Sequence, residues 1–274
     1  SMSVLQKILA WKREEQARRM RERPLLRVRA EAEAMPPPRD FAAALVRRGD
    51  RPALIAEVKR ASPSRGDLAP TVDPVALAGA YRRGGAAALS VLTDARFFHG
   101  ELAHLQAIRQ AFPEVPILRK DFTLDAYDVY EARAAGADAV LLIVAALEPS
   151  RLADLLALAA ELRMTALVEV HREEELERAL QAGARVIGVN HRDLHTLTVD
   201  RTVSARLRPR IPAGIRTVAE SGLRTPADVR EMGARGYDAV LVGEALVEAG
   251  RRPDGFDLEA VVRATRALAG GEEG

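Results

Sequence analysis

The 274-residue chain contains no cysteine. Disulfides, thiolate metal sites and a thiol nucleophile are therefore excluded. Aromatic residues make up only 4%, so aliphatic side chains must fill the interior. Neither sign of charge is in excess, because 41 lysines and arginines meet 39 aspartates and glutamates. That balance does not indicate nucleic-acid binding. No apolar run is long enough to span a membrane, and the N-terminal stretch lacks the apolar centre of a signal peptide. A cytoplasmic location is expected. The histidines at 99, 104, 171, 191 and 195 come with no HExxH or comparable ligand framework, although His191 and His195 could share a helix face. No metal is expected.

What is present is a repeat. Eight β-branched or Leu-rich runs begin at Ala53, Ala88, Val115, Asp138, Thr165, Arg185, Arg216 and Asp238. They start about two to three dozen residues apart, room for one strand and one crossover helix. The runs are almost continuously apolar, as strands buried on both faces should be. Helical patterns fill the gaps. Asp73 and Pro74 read as an N-cap and first helical residue. Further patterns run over 126–135, 149–163, 173–182 and 226–234. The phrases AGAD, AGAR and RGYD each place a glycine between a helix and the next strand. Eight such units predict an α/β fold, the closed (β/α)8 TIM barrel, over residues 49–274. An open doubly wound sheet is the alternative, but no GxGxxG turn follows the first strand. Residues 1–48 lie outside the repeat. A basic amphipathic helix is predicted over Val4 to Arg21, prolines 36–38 interrupt, and a helical pattern resumes over Phe41 to Val46. This N-terminal helical extension is expected to cover one end of the barrel, its basic face solvated.

In such a barrel, chemistry collects where strands run into their following loops. The first strand ends in EVKRASPSRG. Side chains alternate along a strand, so Glu57 and Lys59 share a face, and Ser62 to Gly66 form a donor-rich turn. Singly this would read as a surface salt bridge before a turn. The pattern recurs, however. The third strand ends in Lys120, Asp121 and Phe122; the fifth carries Glu169; the sixth ends in Asn190, His191 and Arg192; the seventh ends in Glu220, Ser221 and Gly222; the eighth ends in Gly243 and Glu244. Acids and amines converging on one mouth shift each other's pKa values, which is how proton-transfer groups are tuned. Asp121 and Glu220 are read as groups that only orient a neighbouring lysine or serine. The loops after the last two strands, with a short helix over 244–248, suit a phosphate. There the backbone of Glu244, rather than its carboxylate, is expected to face the ligand.

The motifs IAEVKRASPSRG, SVLTDARFFHG, ILRKDF, LVEV, GVNHRDL, VAESGL and LVGEAL together resemble the indole-3-glycerol phosphate synthase family of tryptophan biosynthesis, over nearly the whole chain. The resemblance implies a carboxy-lyase without cofactor that closes an indole ring on 1-(2-carboxyphenylamino)-1-deoxyribulose 5-phosphate, losing carbon dioxide and water. It also implies a barrel whose N-terminal extension lies over the active-site end. On this resemblance Lys120 is the general acid of ring closure and Glu169 the general base of dehydration. Lys59 holds the substrate carboxylate and supplies a proton in dehydration. Glu57 and Asn190 position charged groups and hydroxyls, and Ser62 and Arg192 meet the anionic ends. Phe98, Phe122, Leu142 and Leu194 form an apolar wall around the aromatic ring, while Ser221, Gly222, Gly243 and Glu244 hold the phosphate.

Four residues depart from the family's usual pattern: Glu101, His171, His191 and Glu244. His191 is expected to support a neighbour or face solvent. Two other functions compete, another phosphosugar barrel isomerase or aldolase and a non-catalytic phosphometabolite-binding barrel. A Schiff-base aldolase would use a strand-end lysine covalently. The expected partner is a small phosphorylated substrate, with no membrane or nucleic acid, and the protein is read as a possible monomer.

Overall fold

A computed structural model describes residues 1–62, 64–69 and 71–271. Pro63, one of the residues of the turn expected after the first strand, and the last three residues of the 49–274 segment lie outside the described residues. Eight parallel strands close into a barrel: β1 (Ala53–Val58), β2 (Ala88–Leu92), β3 (Ile117–Lys120), β4 (Ala139–Ile143), β5 (Thr165–Val170), β6 (Val186–Asn190), β7 (Arg216–Glu220) and β8 (Ala239–Val242). Each pairs with its neighbours in sequence, and β8 closes the ring against β1 through Ala53 and Ala239. The eight apolar runs are thus these strands, seven of them trimmed by a residue or two and the run from Thr165 kept whole.

Alternation divides every strand between two cores. On β1, Leu54, Ala56 and Val58 face an outer layer shared with the surrounding helices. Ile55 faces an inner layer with Ala88, Leu118, Leu167, Val218 and Leu241. Because both faces are covered, the strands read as unbroken apolar runs.

The extension differs from expectation. Helix α1 spans Val4–Glu22, capped by Ser3 and Gln6 in a reciprocal box. A second helix, α2 (Leu25–Ala34), follows directly and packs against α6 (Ala126–Ala135) through Val28, Ala32, Tyr127 and Tyr130. The helical pattern expected over 41–46 is only a 3-10 turn at Ala42–Ala44. Its purpose is packing: Phe41 and Leu45 are fully buried in the inner layer, against residues that begin the strands. The extension therefore covers both barrel ends. Residues 41–45 plug the N-terminal end, while Leu5 and Ile8 of α1 line the cavity at the opposite mouth.

The remaining helices lie outside the ring. They are α3 (Pro74–Arg83), α4 (Ala95–Phe98), α5 (Leu102–Ala111), α7 (Pro149–Glu161), α8 (Glu173–Gln181), α9 (Val203–Leu207), α10 (Pro226–Ala234), α11 (Glu244–Gly250) and α12 (Leu258–Ala269). Asp73 caps α3 as read, accepting from the amide of Val75 at 3.1 Å. Gly136, at φ +106°, ends α6 in the left-handed conformation that glycine adopts without a Cβ penalty.

Candidate active site

The inner alternation that packs the barrel also aims its charges. On β1, Ile55 is core and Glu57, two residues on, reaches the mouth with Lys59 beyond it. Ser90 stands opposite Glu57 in the β1–β2 register and donates to Glu57 Oε2 at 2.7 Å. Lys120 Nζ lies 2.9 Å from the same oxygen, and Lys59 Nζ 3.4 Å from Oε1. One carboxylate thus holds two ammonium groups. Burial alone would raise the pKa of Glu57, but Lys120, Lys59 and the Ser90 hydroxyl outweigh it and hold the group at about 2. Burial and the neighbouring Lys120 lower Lys59, with Glu57 opposing. For Lys120 burial also acts downward, but Glu57, Glu220 and Glu169 prevail and raise it. Lys120 therefore keeps its proton at neutral pH, and Lys59 releases one more readily.

Across the mouth stands a carboxyl pair. Glu169 is registered with Gly188 of β6, and Glu220 with Asn190. Glu220 leans over Gly188, where any Cβ would collide with its carboxyl. That absence of a side chain makes room for the buried Glu220 carboxyl beside β6, close enough for Glu169 and Glu220 to act on each other electrostatically. Two buried carboxylates repel, which favours protonation of one of them. Burial, then the Glu169 charge, push Glu220 well above the usual carboxyl range. Burial also raises Glu169, but Lys120 and the Asn190 amide oppose the rise. Of the two carboxyls, Glu220 is pushed the further toward its protonated form. Asn190 Oδ1 accepts from the amide of Arg192 at 2.9 Å and from Ser221 Oγ at 2.6 Å. Its amide nitrogen is left to donate to Glu169.

These groups line a cavity of two lobes, about 120 and 100 Å³, sharing Glu57, Lys59, Lys120, Arg192 and Ser221. Phe98, Phe122 and Leu194 give both lobes an apolar wall. Ser62, Gly222, Gly243 and Glu244 line the outer lobe, while Glu169 and Asn190 line the inner. Leu142 does not reach either. It is buried in the outer core, because an even-numbered residue of β4 faces the helices. Its neighbours Leu141 and Ile143 line the inner lobe instead. The Glu244 carboxylate lies against Arg65 at 3.7 Å and Arg224 at 3.6 Å, which neutralise it. A wider groove of about 1120 Å³ flanks α1, but none of the strand-end charges enters it.

Sequence reading missed Lys12. It is only 2% exposed, and its Nζ bonds Glu15 at 2.9 Å, Asp94 at 3.0 Å and Asp121 at 2.9 Å. Burial would lower its pKa, but Asp121, Asp94 and Glu15 overcome this and keep it charged. Asp121 follows Lys120, and Asp94 caps the short helix that ends in Phe98. Lys12 thus ties the extension to two loops of the mouth. Leu5, Ile8, Leu9 and Lys12 recur at i, i+3, i+4 and i+7, and this spacing placed the lysine on the buried face. His191 and His195 share no helix, since α9 begins only at Val203. His191 is fully buried rather than solvent-facing. Among the described residues, no group of three or more His, Asp or Glu side chains could hold a metal ion.

A family model described as indole-3-glycerol phosphate synthase matches residues 5–253. The chain belongs to the indole-3-glycerol phosphate synthase family. Within it, the protein of that name from Roseiflexus sp. (strain RS-1) is 55% identical over 255 residues, covering 90% of this chain and 94% of that protein. Its counterpart in Parafrankia sp. (strain EAN1pec) is 54% identical over 249 residues, covering 91% and 92%. In fold alone, the chain is similar to the solved structure of 3-hexulose-6-phosphate synthase, at 19% identity and a TM-score of 0.60, covering 79% of this chain and 99% of that one. Residues of this family's mouth can therefore be weighed as an enzyme's rather than as a binding barrel's. Among the described residues no helix is long and apolar enough to cross a membrane.

Proposed function

We propose that this mouth converts 1-(2-carboxyphenylamino)-1-deoxyribulose 5-phosphate into indole-3-glycerol phosphate, carbon dioxide and water. The observation that carries the reading is the division of the site into two proton-transfer halves. Lys120 stands on Glu57 at 2.9 Å and is held in its charged form, and across the same cavity lie the buried carboxyls of Glu169 and Glu220, both pushed up in pKa and Glu220 the further.

Lys120 gives its proton to the ribulose carbonyl oxygen as the aromatic carbon bearing the carboxylate attacks. Lys59 holds that carboxylate until carbon dioxide leaves and the ring regains aromaticity. The new hydroxyl then departs as water with a proton from Lys59, and Glu169 accepts the proton released from the substrate. Each step places opposite charge where charge develops, in a site largely closed to water. Phe98, Phe122 and Leu194 hold the aromatic ring. Arg192 and the Ser221, Gly222 and Gly243 loops hold the phosphate. Ser62 steadies the turn after β1 by accepting from the amide of Arg65 at 3.2 Å. We read the enzyme as a possible monomer, located in the cytoplasm.

The test is turnover of the carboxyphenylamino-deoxyribulose phosphate, without added metal, followed by indole fluorescence. Turnover by the intact protein and its loss in Lys120→Ala support the reading, and no turnover by folded protein overturns it. Borohydride added with substrate should trap no lysine adduct. A covalent adduct at Lys59 or Lys120 would favour an aldolase instead.

A further inference from the structure

The reaction as derived leaves the buried His191 without a task. Its surroundings give it one. Its backbone extends the pairing of β6 with β7 by one residue, donating to the Glu220 carbonyl at 2.9 Å. Its ring turns back on the same strand end. Nδ1 lies 2.8 Å from the Ser221 carbonyl oxygen and Nε2 lies 2.7 Å from Ser204 Oγ.

The partners fix the tautomer. A carbonyl oxygen only accepts, so Nδ1 must carry a proton. Arg235 Nη1 donates to Ser204 Oγ at 2.7 Å, and a guanidinium never accepts. The hydroxyl proton of Ser204 is therefore free for Nε2. The competing acceptors, the Arg201 carbonyl at 3.4 Å and the weakly accepting Met232 Sδ at 3.5 Å, are farther away. The result is a directed chain from Arg235 through Ser204 and the imidazole to the Ser221 carbonyl. Burial and then Arg201 and Arg235 lower the pKa of His191, in keeping with a neutral ring.

The carbonyl at the end of this chain belongs to a strained residue. Ser221 has φ +76° and Gly222 has φ +73°. The left-handed conformation comes readily to glycine but strains a serine, whose Cβ crowds the following carbonyl. Two bonds hold Ser221 there: its hydroxyl on Asn190 and its carbonyl on His191. We propose that His191 is a positioning residue for the substrate phosphate, clamping the Ser221 peptide so that the Ser221–Gly222 turn keeps the shape that receives it. This rests on the reading of that turn as part of the phosphate site.

The experiment compares kcat/KM for the phosphorylated substrate with that for the analogue lacking the phosphate. Three variants are measured beside the intact enzyme. Gly222→Ala places a Cβ at φ +73° and 2.9 Å from Val199 Cγ1, which distorts the turn directly. His191→Leu removes the donor at similar volume. His191→Asn restores a donor near the position of Nδ1. Preference for the phosphorylated substrate should narrow in Gly222→Ala, and by about tenfold in His191→Leu, chiefly through KM. In His191→Asn it should recover to within about twofold of the intact enzyme. Narrowing in Gly222→Ala but not in His191→Leu overturns the role of His191 and spares the phosphate reading. No narrowing in Gly222→Ala overturns both. Should His191→Leu fail to fold, nitrogen-15 spectra of the intact protein decide: a neutral Nδ1–H ring supports the clamp, and an Nε2–H ring overturns it.

Discussion

The two ends of the barrel are built from the same eight strands and share almost no chemistry. At the N-terminal end, Phe41 and Leu45 fill the ring with apolar volume, against Ile55, Ala88, Leu118 and Ala239. At the other end, two steps along the same inward row, the ring holds Glu57, Lys120, Glu169 and Glu220. The N-terminal plug lowers the free energy of the fold by being dry and close-packed. The mouth stores unfavourable burial of polar groups: Glu57 is paired with Lys120 and Lys59, whereas Glu169 Oε1 and both Glu220 carboxyl oxygens are buried without a hydrogen-bond partner among the described residues. Stability and activity are therefore separable along one axis of the molecule, and substitutions at the two ends should read out differently.

The largest separation is expected at Lys120. Lys120→Ala should cost at least about a thousandfold in kcat, the upper range for a positioned proton donor, with little change in thermal midpoint. A variant as active as the intact enzyme would remove the assignment. Glu169→Gln should follow at about a hundredfold in kcat, with its loss confined to dehydration. Accumulation of the ring-closed, undehydrated intermediate in quenched reactions would locate the step. Phe41→Ala should show the reverse: a loss of about 3–5 kcal/mol in denaturant unfolding, with kcat of the folded fraction preserved. A fall in kcat without a fall in stability there would dissolve the distinction between the ends.

The smallest effect is in acid. Glu57 is held at about 2, below its ordinary 4.5, so the folded state binds its proton more weakly than the unfolded one. Its contribution to stability is complete above about pH 4.5 and is lost as the pH falls toward 2. Glu220 is raised and acts in the opposite sense: its contribution is present below pH 4.5 and lost as pH rises. The stability gap between the intact enzyme and Glu57→Gln should therefore shrink steadily between pH 4.5 and 2. A constant gap would show that Glu57 does not stabilise the fold as a carboxylate.

The N-terminal end was the less legible of the two in the sequence. All eight strands could be read, since runs buried on both faces carry a continuous signal. Helix α2 could not, because Val28 and Ala32 are the only buried residues in a sequence otherwise rich in arginine, glutamate and alanine. Phe41 and Leu45 looked helical, yet their placement is decided by a hole in a ring far away in sequence. At the mouth, the ends of strands announced Glu57, Lys59, Lys120, Glu169 and Asn190, whereas strand parity would have excluded Leu142. Glu220 was seen but undervalued, because the room for its buried carboxyl depends on a glycine two strand positions away on the neighbouring β6. Lys12 was legible in its spacing and was passed over because lysine is rarely buried.

The plug at Phe41 also has a history in time. Residues 41 to 45 emerge during synthesis before any strand does. The cavity they fill is bounded by Ala239, so it does not exist until the eighth strand has paired with the first. Until then a phenylalanine and a leucine have no native place to go while about two hundred residues of chain are made. Their seating is the last event that ring closure permits, and amide protons at 41–45 should gain protection only when those of Ala53 and Ala239 do.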